Sequence, residues 1–326
     1  MIKQTMNNYE ADKEVCFKQV AEDWFVFLKP RLKESSIIKY RNILNLYLLP
    51  EYGERRMSEI SRADITAFGN ELLTRGGARQ KGLSPKTVTG IIALMKSIFG
   101  YAVQEMAFPA PDIRGVCVKQ PQKPLRVLSR VEQQKLSSYL CRNLSPCNLG
   151  VLTCLYTGLR IGEICALQWG DILFDEQYLY VHKTMQRLQT LSEEGAKTEI
   201  RISAPKSECS VRRIPIPGEL FRLLVSCRQP DDAFLLTGYP ERYIEPRTME
   251  NRFKLTLAHC GISNAHFHTL RHTFATRCVE LGFDVKSLSE ILGHSTVNIT
   301  MNRYVHPSME LKQKNMDMLS DLFLET

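Results

Sequence analysis

The sequence predicts a mainly α-helical protein of two domains, the second of which carries a small three-stranded β-sheet. Apolar residues recur at intervals of three and four through most of the chain, which is the spacing of an amphipathic helix. Strict alternation of apolar and polar residues, which is typical of strands, is confined to short stretches between residues 178 and 216. With 326 residues and a hydrophobic share of 44%, the chain is long and apolar enough to form two cores.

Residues 15–107 are predicted to form a bundle of four or so helices, preceded by a polar tail at 1–14. Ser84 followed by Pro85 is a favourable helix start, since serine caps a helix and proline fits its first turn. The apolar positions that carry the helical spacing are Phe17, Val20, Ala21, Trp24, Phe25, Leu28, Val88, Ile91, Ile92, Met95, Ile98 and Phe99.

Residues 108–126 contain four prolines and are predicted to be an extended linker. The second domain, 127–326, begins with helical patterns near 129–142, 145–157 and 160–168. Three strand-like stretches follow, at 178–182, 200–204 and 211–216, and helices return after Pro217. A last amphipathic helix within 308–323 is expected, with its apolar side chains packed on its own domain.

The positive charge of the chain is concentrated in its first third. Residues 1–126 contain 20 lysines and arginines against 13 acidic residues, whereas 127–326 contain 23 against 22. A basic N-terminal domain is typical of a protein that binds a polyanion, although a soluble basic domain without a partner has the same composition. Because no apolar run has membrane-spanning length and residues 1–14 are polar and charged, we expect a cytoplasmic protein without a membrane partner.

The cysteines and histidines do not form a recognisable metal motif. Ten cysteines occur singly among apolar neighbours, which predicts reduced and mostly buried thiols. Six of the seven histidines lie beyond residue 258, so a transition-metal site is a competing interpretation. Acidic or cysteine co-ligands at metal spacing are missing, and we expect neither a metal nor a cofactor.

A scattered basic set that ends on a tyrosine carries the chemistry of the chain. Its members are Arg160, Lys206, His268, Arg271, His294 and Tyr304. Arginines bind two phosphate oxygens at once, lysine and histidine transfer protons, and tyrosine can act as a covalent nucleophile. Taken singly, each residue also has an ordinary structural interpretation, such as a surface ion pair between Arg160 and Glu163 or a tyrosine in the core.

Four segments around these residues resemble the tyrosine recombinases, the phage-integrase and Xer family. They are LYTGLRIGEI at 155–164, HFHTLRHTFA at 266–275, ILGHSTVNIT at 291–300 and MNRYVH at 301–306. The resemblance extends from about residue 15 to the C-terminus and keeps the order of the six residues. It implies that 15–107 is the SAM-like core-binding DNA-binding domain and that 127–326 is the catalytic domain.

The resemblance also implies a role for each residue of the set. Tyr304 would attack the scissile phosphate and form a 3′-phosphotyrosyl link, while Arg160 and Arg271 hold the phosphate, with Glu163 supporting Arg160. His268 and His294 would assist, and Lys206 would protonate the leaving 5′ oxygen. Lys183 and Lys197 are alternatives for that proton donor, because the alignment around the lysine leaves the choice open.

The partners implied are double-stranded DNA with paired half-sites and a homotetramer that passes through a Holliday junction, together with an accessory protein that sets direction. The C-terminal helix would dock on a neighbouring protomer, and the short N-terminal end suggests that no separate arm-binding domain precedes it. Candidate DNA-backbone contacts are Arg79, Lys81, Lys86, Lys96, Arg212 and Arg213.

The biological role expected is integration and excision of a mobile element. Xer-type resolution of chromosome or plasmid dimers is an alternative with the same chemistry. A type IB topoisomerase shares the phosphotyrosyl chemistry but works as a monomer. A DNA-binding protein that does not cleave DNA would explain the basic N-terminal domain and leave the six-residue set without a purpose.

Overall fold

The computed structural model describes residues 15–77, 80–109, 113, 115–119, 125–189, 198–205, 208–305, 309–317 and 319. The chain divides into two compact units, Met1–Lys123 and Pro124–Thr326. Each unit contains its own cluster of buried apolar side chains. The mainly helical fold with small antiparallel sheets that the sequence predicts is confirmed.

The first unit is a helical bundle. Its helices are α1 (Phe17–Leu28), α2 (Glu34–Ile43), α3 (Leu49–Tyr52), α4 (Arg62–Arg75) and α5 (Pro85–Met106), and a π-helical turn, Leu44–Leu48, joins α2 to α3. Trp24 and Phe17 are buried with the apolar positions of α5, as their spacing predicts. Phe25 and Leu28, which share the helical spacing, are only half-buried at the edge of this core.

Serine residues fix the starts of two of these helices. The Ser84 hydroxyl accepts a hydrogen bond from the Thr87 N–H at 3.1 Å, and Pro85 occupies the first helical position, which confirms the predicted start of α5. Ser61 and Asp64 form a reciprocal capping box at the start of α4. Each cap satisfies backbone N–H groups that have no partner within the helix.

Helix α5 is long and apolar enough to cross a membrane by length and composition alone, although no apolar run of that length was expected from the sequence. Eight of its side chains, including Val88, Ile92 and Phe99, are buried in the core of the first unit. A buried central helix of a folded domain meets the same two criteria. The Lys96 ammonium, on its outer side, donates a hydrogen bond to the Val116 carbonyl at 2.7 Å.

The second unit is mainly helical and is built around α7. Its helices are α6 (Arg130–Arg142), α7 (Pro146–Thr157), α8 (Ile161–Ala166), α9 (Gly218–Ser226), α10 (Pro246–His259), α11 (Phe267–Glu280), α12 (Val285–Leu292), α13 (Val297–Tyr304) and α14 (Met309–Asp317). α7 is buried along most of its length and packs against α6, α9 and α11. The central position of α7 places its C-terminal turn, at Gly158, inside the unit.

The strands of the second unit form two sheets rather than the single predicted sheet. β1 (Ile172–Leu173), β2 (Tyr178–Val181) and β5 (Arg212–Pro215) form an antiparallel sheet in the order β1-β2-β5. β3 (Thr184–Gln189) and β4 (Thr198–Ser203) form a separate two-stranded antiparallel sheet. The predicted strand at 200–204 therefore belongs to the separate hairpin, because alternation identifies a strand but not its partner.

The cysteines are all unpaired, as expected for thiols in a reduced protein. The expectation that most are buried is wrong, since only Cys154, Cys165 and Cys278 are buried. Cys117, Cys141 and Cys209 are exposed, and the other four are half-buried. An apolar sequence neighbourhood does not ensure burial when the cysteine itself faces outward from its segment.

The cap of α5 provides a test of the first unit. Replacing Ser84 by Ala should lower its free energy of unfolding by about 1 kcal/mol, because the Thr87 N–H loses its acceptor. The chain has two tryptophans, so a Trp169→Phe background leaves Trp24 as the fluorescent reporter of this unit during urea unfolding. Ser84→Asp, which retains an acceptor, should unfold like the parent; equal stability of the Ala variant would contradict a role for the cap.

Candidate active site

Three arginine side chains converge on the C-terminal end of α12. Arg212 Nε donates to the Ile291 carbonyl at 2.6 Å, Arg271 Nη2 to the Leu292 carbonyl at 2.6 Å, and Arg160 Nη2 to the Gly293 carbonyl at 3.1 Å. The last carbonyls of a helix lack intrahelical partners and carry the negative end of the helix dipole. The end of α12 therefore binds three guanidinium groups on consecutive carbonyls.

Gly293 makes this arrangement possible. Its φ of +63° ends α12 in the left-handed conformation that glycine adopts easily. A Cβ atom here would lie 3.0 Å from the Cys209 carbonyl oxygen and 3.1 Å from Arg212 Cδ. The absence of a side chain lets Arg212 approach the helix end, and the turn directs the chain into His294.

Arg160 precedes α8 and is held by Glu163. Its backbone N–H donates to Glu163 Oε2 at 2.9 Å, and its Nη1 donates to Oε1 at 2.8 Å. About 35% of the Arg160 side chain remains exposed, whereas Glu163 is buried. Burial by itself would raise the pKa of Glu163, but the hydrogen bonds and charge of Arg212, with the charge of Arg160, lower it to about 2.

Arg271 is the most enclosed of the three arginines, with 2% of the residue exposed. Its Nη1 donates to the Gly158 carbonyl at 2.8 Å, at the left-handed turn that ends α7. Burial, followed by the charge of Arg160, lowers the pKa of Arg271 to about 9. The guanidinium therefore remains charged at neutral pH, and two packed turns fix its position.

Arg212 lies inside the protein, which corrects the prediction that it contacts DNA. Only 8% of the residue is exposed. Its Nη1 and Nη2 donate to the two carboxylate oxygens of Glu163 at 3.0 and 2.9 Å. Arg213, the next residue along β5, points outward, packs over the Tyr178 ring and lies 3.9 Å from Glu176. Alternation along the strand thus leaves only Arg213 of the pair accessible to a DNA backbone.

Tyr304 is the last residue of α13 and is 6% exposed. Its hydroxyl lies 2.9 Å from His272 Nδ1. Burial raises the pKa of Tyr304, while the charges of Arg271, Arg303 and Arg160 act in the opposite direction. The phenol is therefore protonated at neutral pH in the protein as it stands.

The histidines around Tyr304 are neutral at neutral pH. Burial, with the charge of Arg271 next, lowers the pKa of His268 and of His294 to about 4, although His268 is an exposed residue and remains partly open to solvent. Burial and the neighbouring His268 lower the pKa of His272 to about 3. The His294 ring is parallel to the Tyr304 ring with centroids 6.4 Å apart, and its Nδ1 is 2.8 Å from the Thr300 hydroxyl.

His272 and Arg303 are site neighbours that the sequence interpretation missed. The His272 ring meets that of His268 edge to face, with centroids 4.4 Å apart. Residues four apart share a helix face, so the spacing of His268 and His272 could have indicated this. Arg303 Nη2 lies 3.4 Å from His272 Nε2.

The predicted lysines have different environments. Lys183 Nζ is bound to Asp171 at 2.9 Å and to the Gln168 side chain at 2.5 Å. Lys206 and Lys197 lie outside the described residues, as does Arg79. Lys81 and Lys86 are exposed beside the start of α5, whereas the ammonium of Lys96 is engaged by Val116. Within the described ranges, no three His, Cys, Asp or Glu residues are grouped as a metal would need.

Two family matches cover both units of the chain. Residues 126–310 match the phage integrase family, and residues 16–73 match the N-terminal SAM-like domain of phage integrases. The first match alone spans more than half of the 326 residues.

Individual relatives are similar over nearly the full length. A XerC-like tyrosine recombinase of Caldanaerobacter subterraneus subsp. tengcongensis is 26% identical over 96% of this chain and 84% of its own length. The ICEBs1 integrase of Bacillus subtilis (strain 168) is 23% identical over 86% of this chain and 76% of its own.

Solved structures share the fold at lower identity. The Tn1549 transposon integrase in complex with transposon right-end DNA superposes with a TM-score of 0.75 at 20% identity, covering 94% of this chain and 100% of its own. A lambda integrase tetramer bound to a Holliday junction gives 0.64 at 16% identity, covering 95% of this chain and 84% of its own. With the family match over residues 126–310, the chain belongs to the phage integrase family and is a tyrosine-type site-specific DNA recombinase.

Proposed function

We propose that this recombinase integrates and excises a mobile element, using Tyr304 as the nucleophile that forms the 3′-phosphotyrosyl link. The observation that carries the proposal is the buried Tyr304 hydroxyl, 2.9 Å from His272, beside arginines anchored on the end of α12. The similarity to the ICEBs1 integrase and the Tn1549 transposon integrase supports a mobile-element role.

Arg160 and Arg271 would bind the scissile phosphate. Each guanidinium has five N–H donors, and in each the observed bonds use one N–H of Nη1 and one of Nη2. The remaining donors are available for phosphate oxygens. Because both groups are already held by carbonyls or Glu163, they need little reorganisation to stabilise the pentacovalent phosphate.

His272 would stabilise the attacking oxygen rather than remove its proton. A guanidinium can only donate, so the contact from Arg303 makes His272 Nε2 an acceptor and leaves the ring proton on Nδ1. That proton then points at the Tyr304 oxygen and favours the phenolate during attack. His268 and His294, which are neutral, can take the phenolic proton directly or through water.

The leaving 5′ oxygen needs a proton when its bond to phosphorus breaks. Lys206 would supply it as general acid. The bonds of Lys183 to Asp171 and Gln168 support Lys206 over Lys183, because a lysine used in this way would have to leave its carboxylate partner. The freed 5′-hydroxyl of a second strand then attacks the phosphotyrosyl bond and regenerates Tyr304.

The recombinase would act in the cytoplasm on double-stranded DNA with paired half-sites, as a homotetramer that passes through a Holliday junction. The tetramer of the lambda integrase on such a junction supports this assembly. α14 would be the segment that docks on the neighbouring protomer, and an accessory protein would set the direction. Lys81, Lys86 and Arg213, which are exposed, would contact the DNA backbone.

Dimer resolution of the Xer type is the second candidate, favoured by the similarity to the XerC-like recombinase. Both roles use the same cleavage chemistry. Sequencing the DNA that flanks the gene separates them, because an integrase gene lies beside an element end and a chromosomal dimer resolvase does not.

Replacing Tyr304 by Phe should abolish the covalent protein–DNA adduct while leaving DNA binding intact, because only the attacking oxygen is lost. A suicide duplex analysed on denaturing gels detects the adduct, and native gels measure binding. Tyr156→Phe is the matched control, because the Tyr156 hydroxyl contacts Ser137 on α6 and not the residues around Tyr304, and it should still form the adduct. An adduct from Tyr304→Phe would mean that a different tyrosine is the nucleophile.

Lys206→Ala should strongly slow the cleavage of ordinary DNA. The cleavage rate should recover on a 5′-bridging phosphorothiolate, whose thiolate leaves without a proton. Arg271→Ala should not recover on that substrate, since it binds the phosphate itself. The rates are measured in single-turnover cleavage. Rescue of Lys183→Ala instead of Lys206→Ala would transfer the role to Lys183.

The neutral histidines predict a pH-dependent stability. The folded chain keeps His268, His272 and His294 unprotonated to about pH 4 or 3, whereas in the unfolded chain they bind protons below about pH 6.5. The contribution of these neutral histidines to the free energy of unfolding is thus present above pH 6.5 and is lost as the pH falls towards 4.

Urea unfolding between pH 7 and pH 5, followed by Trp169 fluorescence in a Trp24→Phe background, measures this loss. The carboxylate Glu163, with its lowered pKa, affects stability only below this range. The unfolding midpoint should fall with pH, and less steeply after His272→Gln. A midpoint that stays constant from pH 7 to pH 5 would contradict the lowered pKa values.

A further inference from the structure

Arg212 is one of the three arginines at the end of α12, but its side chain is buried, whereas that of Arg160 is partly exposed. All three guanidinium nitrogens are bonded to the protein: Nε to the Ile291 carbonyl, Nη1 to Glu163 and the Ser210 carbonyl, and Nη2 to Glu163. The residue is 8% exposed. Burial of a charge with this many directed bonds is stable only if each partner remains in place.

Arg212 shares both of its main partners with the proposed phosphate-binding arginines. Glu163 Oε1 accepts from Arg160 Nη1 and Arg212 Nη1, and Oε2 accepts from the Arg160 backbone N–H and Arg212 Nη2. The carbonyl that Arg212 binds directly precedes the one bound by Arg271. A shift of Arg212 would therefore move the supports of both other arginines.

The charge of Arg212 also determines the net charge of the group formed by Glu163 and the three arginines. With Arg212 present, the buried carboxylate is shared by two guanidiniums, and the three arginines with Glu163 leave two positive charges. A phosphodiester attacked by a phenolate carries two negative charges. Without Arg212, Glu163 would pair with Arg160 alone and would leave one positive charge.

We propose that Arg212 is a positioning residue for strand cleavage. It holds Glu163 and the end of α12 so that Arg160 and Arg271 are correctly placed to bind the scissile phosphate. This rests on the proposed function. Gly293 gives independent support, because a Cβ atom there would approach Arg212 Cδ to 3.1 Å and Nη1 to 3.2 Å, so the helix end is shaped around this side chain.

The experiment measures single-turnover cleavage of a suicide half-site by the full chain over a range of protein concentrations. Arg212→Met should lower the rate at saturating protein by roughly 100-fold, the effect of a small misplacement of catalytic groups. The half-saturating concentration should stay unchanged, because Arg212 does not face the DNA. Arg222→Met, which removes an exposed arginine from α9, is the matched control and should cleave normally.

Two further variants separate positioning from a loss of folding. Arg212→Lys keeps the charge but cannot form the two parallel bonds to Glu163, so its rate should lie between those of the parent and the Met variant. Adding Glu163→Gln to Arg212→Met should restore part of the rate, because losing the carboxylate charge returns the site to two positive charges. Circular dichroism tests whether each variant is folded at the assay temperature. If Arg212→Met is unfolded, Arg212→Lys takes its place in the comparison with the parent.

Cleavage by Arg212→Met at the parental saturating rate would overturn the inference, as would a defect that disappears at high protein concentration. No recovery in the double variant would show that Arg212 does not act through Glu163 and would overturn it as well. These results concern Arg212 only. If the parent chain forms no covalent adduct on the same substrate, the proposed function itself fails.

Discussion

The end of α12 is the point on which the rest of the site depends. Three guanidinium groups would repel one another if they were brought together in a buried space without counter-charges. Here three consecutive carbonyls and one carboxylate accept their hydrogen bonds, and the helix dipole adds a favourable field. α8, α11 and β5 are thereby joined to one turn of the chain, although they are far apart in sequence.

The same network surrounds Tyr304, the proposed nucleophile, whose protonation is set by burial rather than by the arginines. Tyr304 is buried and protonated, and the positive charges around it are satisfied mainly by uncharged carbonyls. A phosphate bound there, as we propose, would bring the negative charge that the arginines lack and would exclude water from the same space. In the proposed reaction, the same arginines would stabilise the charge that develops on the phosphate during attack.

Much of this could be predicted from the sequence, because helix spacing and local motifs are encoded in neighbouring residues. Ser84 and Gly293 mark helix ends through their own chemistry, and the structure has them there. The burial of Arg212 could not be predicted, since its partners Glu163 and Ile291 lie 49 and 79 positions away. The strand at 198–203 was assigned to the wrong sheet for the same reason, since its partner depends on tertiary packing.

All the side chains placed around Tyr304 belong to the second unit of a single chain. If each copy in the proposed assembly uses its own set of these side chains, two differently damaged copies would not complement each other. In an assembly of several protomers, a copy with a defective active site but intact interfaces would still join the assembly. Such alleles should behave as dominant inhibitors in a cell that also carries the normal gene.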